Sequence, residues 1–384
     1  MSSDPQRHDP QRHAERTAAA RALLVSPWRP AEADPALFGL IRRHADVLDR
    51  WFTQRLGYRL VVQADTARLV KSGHVPADRP LSAPTDRPLT GREHVTLALV
   101  LAATASGPDR ISLRDLVLRV RSTAADAGIA LDGGAGGRRA LVTAVRWLVR
   151  HGVVRELDRS VTGYEHDADA DALLEIRNDR LAMLPTPALV GAESADELLT
   201  RAAGHAVGRA ALRRRLAEDP VLYAGDVAPE DWAELRRRFG EEARYLQEMF
   251  GLTVEARAEG VAAIDVEGGC TDVPFPHSGT TAHAALLLLA ALTERHRDGA
   301  DSAGVDRELA DLLARYGRYW RRDAVDDPAR LRREVVDLLR AMSLVATDAT
   351  GRVRPLPAAA RFAPDVAVTR RGSEDAERDQ QVLL

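Results

Sequence analysis

A chain of 384 residues, 45% of them hydrophobic, has room for two or three domains with real cores, and at 4% aromatics those cores must be mostly Leu, Val and Ala. Its 54 basic and 57 acidic residues leave a formal charge of −3, which argues against an autonomous high-affinity nucleic-acid binder but allows local basic faces. Cys270 is the only cysteine, excluding a disulfide framework and a thiolate metal site, and Lys71 is the only lysine.

In chain order, residues 1–33 read as a largely disordered tail. Met1–Arg16 is polar and lacks the apolar core of a secretory signal. Residues 34–89 read as a helix plus a hairpin. The helix starts at Asp34-Pro35 and runs to about Leu56, followed by strands over Tyr58–Val62 and Ala67–Val70 and a loop over Ser72–Pro88. Residues 90–185 predict a winged helix. Thr90-Gly-Arg-Glu93 is a capping box opening one helix, Ser112 opens a second, and a third from Arg138 carries Leu141, Val145, Leu148 and Val149. Strands follow at Val153-Val154 and Leu173–Ile176. Residues 186–250 read as a helical connector and 251–278 as a second hairpin, with strands at Leu252–Ala256 and Val261–Ile264.

The stretch 279–362 repeats the winged-helix order. Helices are expected from Thr280 to about Arg295, over Val305–Tyr316, and from Asp327-Pro328, where Leu331, Val335, Leu338, Leu339 and Met342 mark one buried face. Leu344–Ala346 and Val353–Leu356 form the closing hairpin, and 363–384 a mobile tail. Laying Leu148 on Leu339 is an offset of 191, and laying Arg55-Leu56-Gly57 on Met249-Phe250-Gly251 is an offset of 194. Offsets this similar predict one duplicated unit. The expected fold class is therefore mainly α with small β-hairpins (α+β), holding tandem winged-helix domains.

Chemistry is sparse. Gly133–Gly137 has no following Gly-Lys-Ser/Thr and reads as a flexible connector, not a phosphate loop. Asp167, Asp169 and Asp171 have calcium-loop spacing, but Ala172 and Asn178 stand where glycine and glutamate are required, which leaves a solvated wing tip. Cys270, His277 and His283 lack a fourth ligand. No nucleophile elbow occurs, and no cofactor, metal or catalytic residue is expected. The longest apolar run, Ala284–Leu292, is far short of the roughly 20 residues that span a bilayer, so a cytoplasmic chain is expected. The candidate DNA-binding residues are Arg318, Tyr319, Arg321, Arg322, Arg332 and Arg333, with Arg138 and Arg139, joined by Arg146 and Arg150, as the matching set in the first copy. Against this, Tyr319 and Trp320 can equally be core residues covered by arginines. Arg213–Arg215 and Arg236–Arg238 read as solvated helix faces.

Leu40–Phe52, Leu56–Leu60, Val254–Gly260, Tyr316-Gly-Arg-Tyr-Trp-Arg-Arg322 and Arg354–Phe362 together resemble the DUF2398 family, in the family's order over roughly residues 17–362. Arg322 stands where the family's run has lysine, and the charge is kept. The resemblance implies a small tandem winged-helix (KITE) subunit of a Wadjet type II anti-plasmid system, similar to the MukE subunit of bacterial condensins. It implies a homodimer that binds a kleisin linked to an SMC-type ATPase, assists non-specific DNA engagement during loop extrusion, and works beside a separate Toprim-type nuclease subunit. No catalytic residues come with it. The alternative is a free-standing winged-helix transcription regulator, which the acid–base balance disfavours.

Overall fold

The computed structural model describes residues 10–73, 81–203, 208–271, 273 and 275–362. They fall into two compact units, one up to Ala256 together with 261–271, the other the turn Arg257–Gly260 together with 273 onward. The chain is mainly helical with small antiparallel sheets, the α+β class read from the sequence.

The first unit opens with α1 (Pro10–Val25), β1 (Trp28–Pro30), α2 (Pro35–Arg43), α3 (Ala45–Trp51) continued by a π turn (Phe52–Leu56), and the strands β2 (Arg59–Val62) and β3 (Thr66–Val70). Asp34 caps α2, accepting the Leu37 N–H at 3.0 Å, and Pro35 fills the first helical position. The expected tail is corrected here. Residues 10–25 are helical because Ala19, Ala20, Leu23 and Leu24 are buried at one end of an otherwise polar helix, and Trp28–Pro30 pairs antiparallel with β3.

Next come α4 (Gly91–Ala105), β4 (Arg110–Ser112), α5 (Leu113–Asp126), α6 (Ala135–Arg150), β5 (Val154–Asp158) and β6 (Leu173–Ile176). The Thr90–Glu93 capping box forms as read, and the Ser112 hydroxyl accepts the Asp115 N–H. The sheet order is β4-β6-β5, and Leu116, Val120, Val145, Leu148 and Leu174 meet in one core. Gly133–Gly137 is not a flexible connector: Ala135–Gly137 is the first turn of α6. A Cβ on Gly137 would lie 1.7 Å from the Asp132 carbonyl oxygen, so only glycine permits this approach.

Beyond α7 (Asn178–Leu181) and α8 (Ala195–Ala203) lie α9 (Arg209–Glu218), β7 (Leu222–Tyr223), α10 (Pro229–Arg237), α11 (Phe239–Phe250), β8 (Thr253–Ala256) and β9 (Gly260–Ile264). Residues 209–250 do not act as a connector. An offset of 194 carries Trp28 onto Leu222, Pro35 onto Pro229 and Gly57 onto Gly251, and the sheet orders match, β1-β3-β2 against β7-β9-β8. Both copies close one core. Leu23, Phe52 and Tyr58 share it with Leu212, Leu246 and Phe250.

The copies embrace reciprocally. Arg21 of α1 donates to the Phe250 carbonyl at the end of α11 (2.7 Å), and Arg214 of α9 donates to the Leu56 carbonyl at the end of the π turn (2.8 Å). Arg21 also pairs with Asp265 at 2.7 Å, whereas Lys71, the residue aligned with Asp265, pairs with Glu218 on α9 at 2.7 Å. The ion pairs thus exchange charge between the copies. This placement also corrects the solvated-face reading of Arg213 and Arg214, which are buried: Arg213 pairs with the buried Glu242, and each guanidinium satisfies a group inside the core.

Within the same unit, fully buried Arg180 ties the repeated core to α4–β6. Its Nη2 donates to Asp65 (2.9 Å) and Glu32 (2.7 Å), and its Nη1 to the Gly152 carbonyl (3.0 Å).

The second unit contains α12 (Thr280–Arg295), α13 (Ser302–Tyr316), the short α14 (Arg322–Asp326), α15 (Pro328–Ala341), β10 (Val345–Thr347) and β11 (Val353–Pro355). Asp327 caps α15 through the Arg330 N–H at 2.9 Å. Ala300 bridges antiparallel to Val353, a one-residue remnant of the strand that β4 forms against β6. Leu148 of α6 and Leu339 of α15, the residues aligned from sequence, are both completely buried on third long helices.

Candidate nucleic-acid interface

The basic candidates lie on two separate faces, one in each unit. On the first, α6 reads AGGRRALVTAVRWLVR and contains no acidic residue. Ala140, Leu141, Ala144, Val145 and Leu148 are drawn inward by the core, which leaves Arg139, Arg146 and Arg150 exposed at i, i+7, i+11 spacing. That is one helix face, about 16 Å from end to end at 1.5 Å per residue. Arg139 and Arg146 have no acidic partner among the described residues, while Arg150 reaches Asp86 at 2.8 Å. Arg138 does not join this stripe. It is half-buried beside a cleft, with its Nε buried and unpartnered.

The second face is less uniform. Leu331, Val335 and Leu339 turn inward, so α15 exposes Arg330, Arg333, Asp337 and Arg340. Arg330 pairs with Glu334 at 2.8 Å, which raises its already high pKa, and Arg340 pairs with Asp337 at 3.6 Å. Arg332 is turned toward Asp306 at 3.4 Å and the Ser302 hydroxyl. Arg333 alone of the α15 arginines is exposed without an acidic partner among the described residues.

The run Tyr316–Arg322 divides between core and surface. Trp320 is buried, stacks on Tyr316, and donates its indole N–H to His283 Nδ1 at 3.2 Å. Tyr319 is 57% exposed beneath the Arg318 guanidinium, 4.6 Å from its ring centre. The Arg321 side chain is shared between Asp323 and Glu334, each at 3.6 Å, while Arg322 is exposed. Exposed, uncompensated arginine is what a phosphate backbone engages, because each contact releases condensed counterions. By that criterion Arg139, Arg146, Arg318, Arg322 and Arg333 are the strongest members.

The remaining candidates resolve into structural roles. Asp171 spends its carboxylate on the Arg114 and Ala172 N–H groups, and Asp167 on that of Asp169. His283 is held in the aromatic cluster with Tyr316 and Trp320. Cys270 is partly buried, and burial pushes its thiol up to about 11, away from the thiolate that nucleophiles and metal ligands require. Among the described residues no group of three or more His, Cys, Asp or Glu is placed to hold a metal ion, and no helix is long and apolar enough to cross a membrane.

These features define a duplicated α+β protein whose third long helices present arginine to solvent. Comparison with known proteins places it more closely. The profile of the family described as "Protein of unknown function (DUF2398)" matches residues 20–365, nearly the whole chain, so the chain belongs to the DUF2398 family. No curated protein matches it.

Proposed function

We propose that each helix–helix–helix–hairpin segment works as a winged helix, and that the chain is a non-enzymatic KITE subunit of a Wadjet-type, condensin-like SMC complex. It binds a kleisin, reaches the SMC-type ATPase through it, acts beside a Toprim-type nuclease subunit, and engages DNA without sequence preference as a cytoplasmic homodimer. Family membership over nearly the whole chain supports this reading, together with the return of the order α1–β3 in α9–β9 and of three long helices closed by antiparallel strands in both halves. The observation that carries it is the α6 face: Arg139, Arg146 and Arg150 on the third helix of the first copy, with no carboxylate on that helix.

Two measurements test it. Tagged chain purified from its native operon is expected to bring a coiled-coil ATPase and a kleisin-like subunit. A lone dimer that shifts one specific duplex would instead identify a transcription regulator. In the assembled complex, Arg139→Glu with Arg146→Glu is expected to weaken duplex retention and lower the slope of log K against log salt by about 2. Unchanged retention in that variant removes α6 from the DNA path.

A further inference from the structure

The first unit contains a cleft of about 580 Å³ between α4, α5 and the amino end of α6. That volume lies inside the roughly 300–1,000 Å³ occupied by small-molecule sites. Its walls include Val120, Ile129, Leu131 and Leu141, and its polar groups include Arg92, Arg121, Arg138 and Asp132. The charges do not cancel. The Asp132 carboxylate is already engaged, taking the Arg92 guanidinium at 2.7 Å and the Gly134 N–H at 2.8 Å. Arg121 is exposed and has no acidic partner among the described residues. Arg138 buries its Nε without any hydrogen-bond partner.

Two costs therefore meet in one place. Val95 and Ile129 stand 43% and 38% exposed at an apolar surface, and the exposed Arg121 guanidinium on the same cleft has no carboxylate among the described residues to balance it. An inorganic anion relieves only the second, and a neutral apolar molecule only the first. A ligand with both parts relieves both. We propose that this cleft binds a small organic anion, an alkyl or ring body carrying one carboxylate or phosphate. The body lies against Val120, Ile129, Leu131 and Leu141, and the head sits on Arg138 and Arg121. The positive end of α6 adds to the attraction for the head. The site is independent of the SMC reading, since it uses none of Arg139, Arg146 or Arg150.

Calorimetric titration of the full chain with octanoate, octyl phosphate and 1-octanol tests this. One anion of either kind is expected to bind per chain, with the alcohol at least tenfold weaker. Arg121→Ala with Arg138→Ala should erase the preference for the anion. Ala125→Phe, which fills the cleft from an exposed position, should block both kinds of ligand while leaving the thermal melt in place. The proposal is overturned by the absence of saturable binding of either anion to folded wild type. Equal affinity for the alcohol, or undiminished anion binding in the double arginine variant, overturns it too. DNA retention measured on the same variants reports on α6 separately, so failure here is distinguishable from failure of the DNA-binding reading.

Discussion

Glu93 shows how one side chain can carry several structural duties. The residue is 6% exposed, and its carboxylate accepts the Thr90 N–H at 2.8 Å and both terminal nitrogens of Arg87, Nη1 at 2.8 Å and Nη2 at 2.5 Å. The Arg87 hydrogen bond, reinforced by the Thr90 donors and opposed by burial, holds its pKa down at about 2 against an ordinary 4.5. A carboxylate depressed on folding stabilises the native state above its unfolded pKa, and that contribution is lost as pH falls from about 4.5 toward 2. Urea midpoints should therefore drop over that window in wild type. Glu93→Gln is expected to cost about 1–3 kcal/mol at pH 7 and to flatten the acid limb. Arg180 is the second such residue. Replacing it with Met removes a fully buried cation from Asp65 and Glu32, which are partly exposed and can rehydrate, so a loss of about 2–3 kcal/mol is expected in the same urea assay.

At the scale of elements, the most informative comparison is between the two copies. Gly57 and Gly251 end equivalent helices at φ 67° and 65°, and each lies against the guanidinium of the arginine that the other copy sends across. Gly57→Ala and Gly251→Ala should each cost about 1–2 kcal/mol, from the left-handed backbone and the displaced arginine. Similar losses in denaturant melts would mark the sites as equivalent, whereas a loss at only one would break the equivalence. Most elements were legible in the sequence because their signals are local. Thr90–Glu93, Ser112 and Asp327-Pro328 are caps, and Gly57 and Gly251 are stops. What escaped was non-local. β1 and β7 are three and two residues long and exist only because β3 and β9 offer free edges. The polar helix α1 has an apolar end of alanine and leucine too small to register until its partner α11 is in view. Arg138 likewise looked like its neighbour Arg139, and only the packing of α6 separates the half-buried residue from the exposed one.

At the scale of the molecule, the cores are distributed unevenly along the chain. The core built on Leu288, Leu309, Leu331 and Leu339 draws only on residues after 272. Residues 273–362 expressed alone are expected to melt cooperatively. The core around Phe52 and Phe250 instead draws on two segments, 19–69 and 212–261. A fragment ending at 73 should fail to fold, and co-expression with 208–271 should rescue both as a soluble complex, read by gel filtration and near-ultraviolet circular dichroism. Independent folding of the first fragment would contradict the shared core.

The shared core also sets a timetable for synthesis. Phe52, Leu56 and Tyr58 leave the ribosome about 200 residues before Phe250 and Val261, which complete the same core. At about 5–20 residues per second, the first half of that core stays open on the nascent chain for roughly 10–40 s. The intervening segment, whose buried core members all lie between Ala83 and Leu181, can fold in that interval. A chaperone that holds nascent apolar surface would find its substrate in the amino-terminal 70 residues, and the release signal would be the emergence of α11.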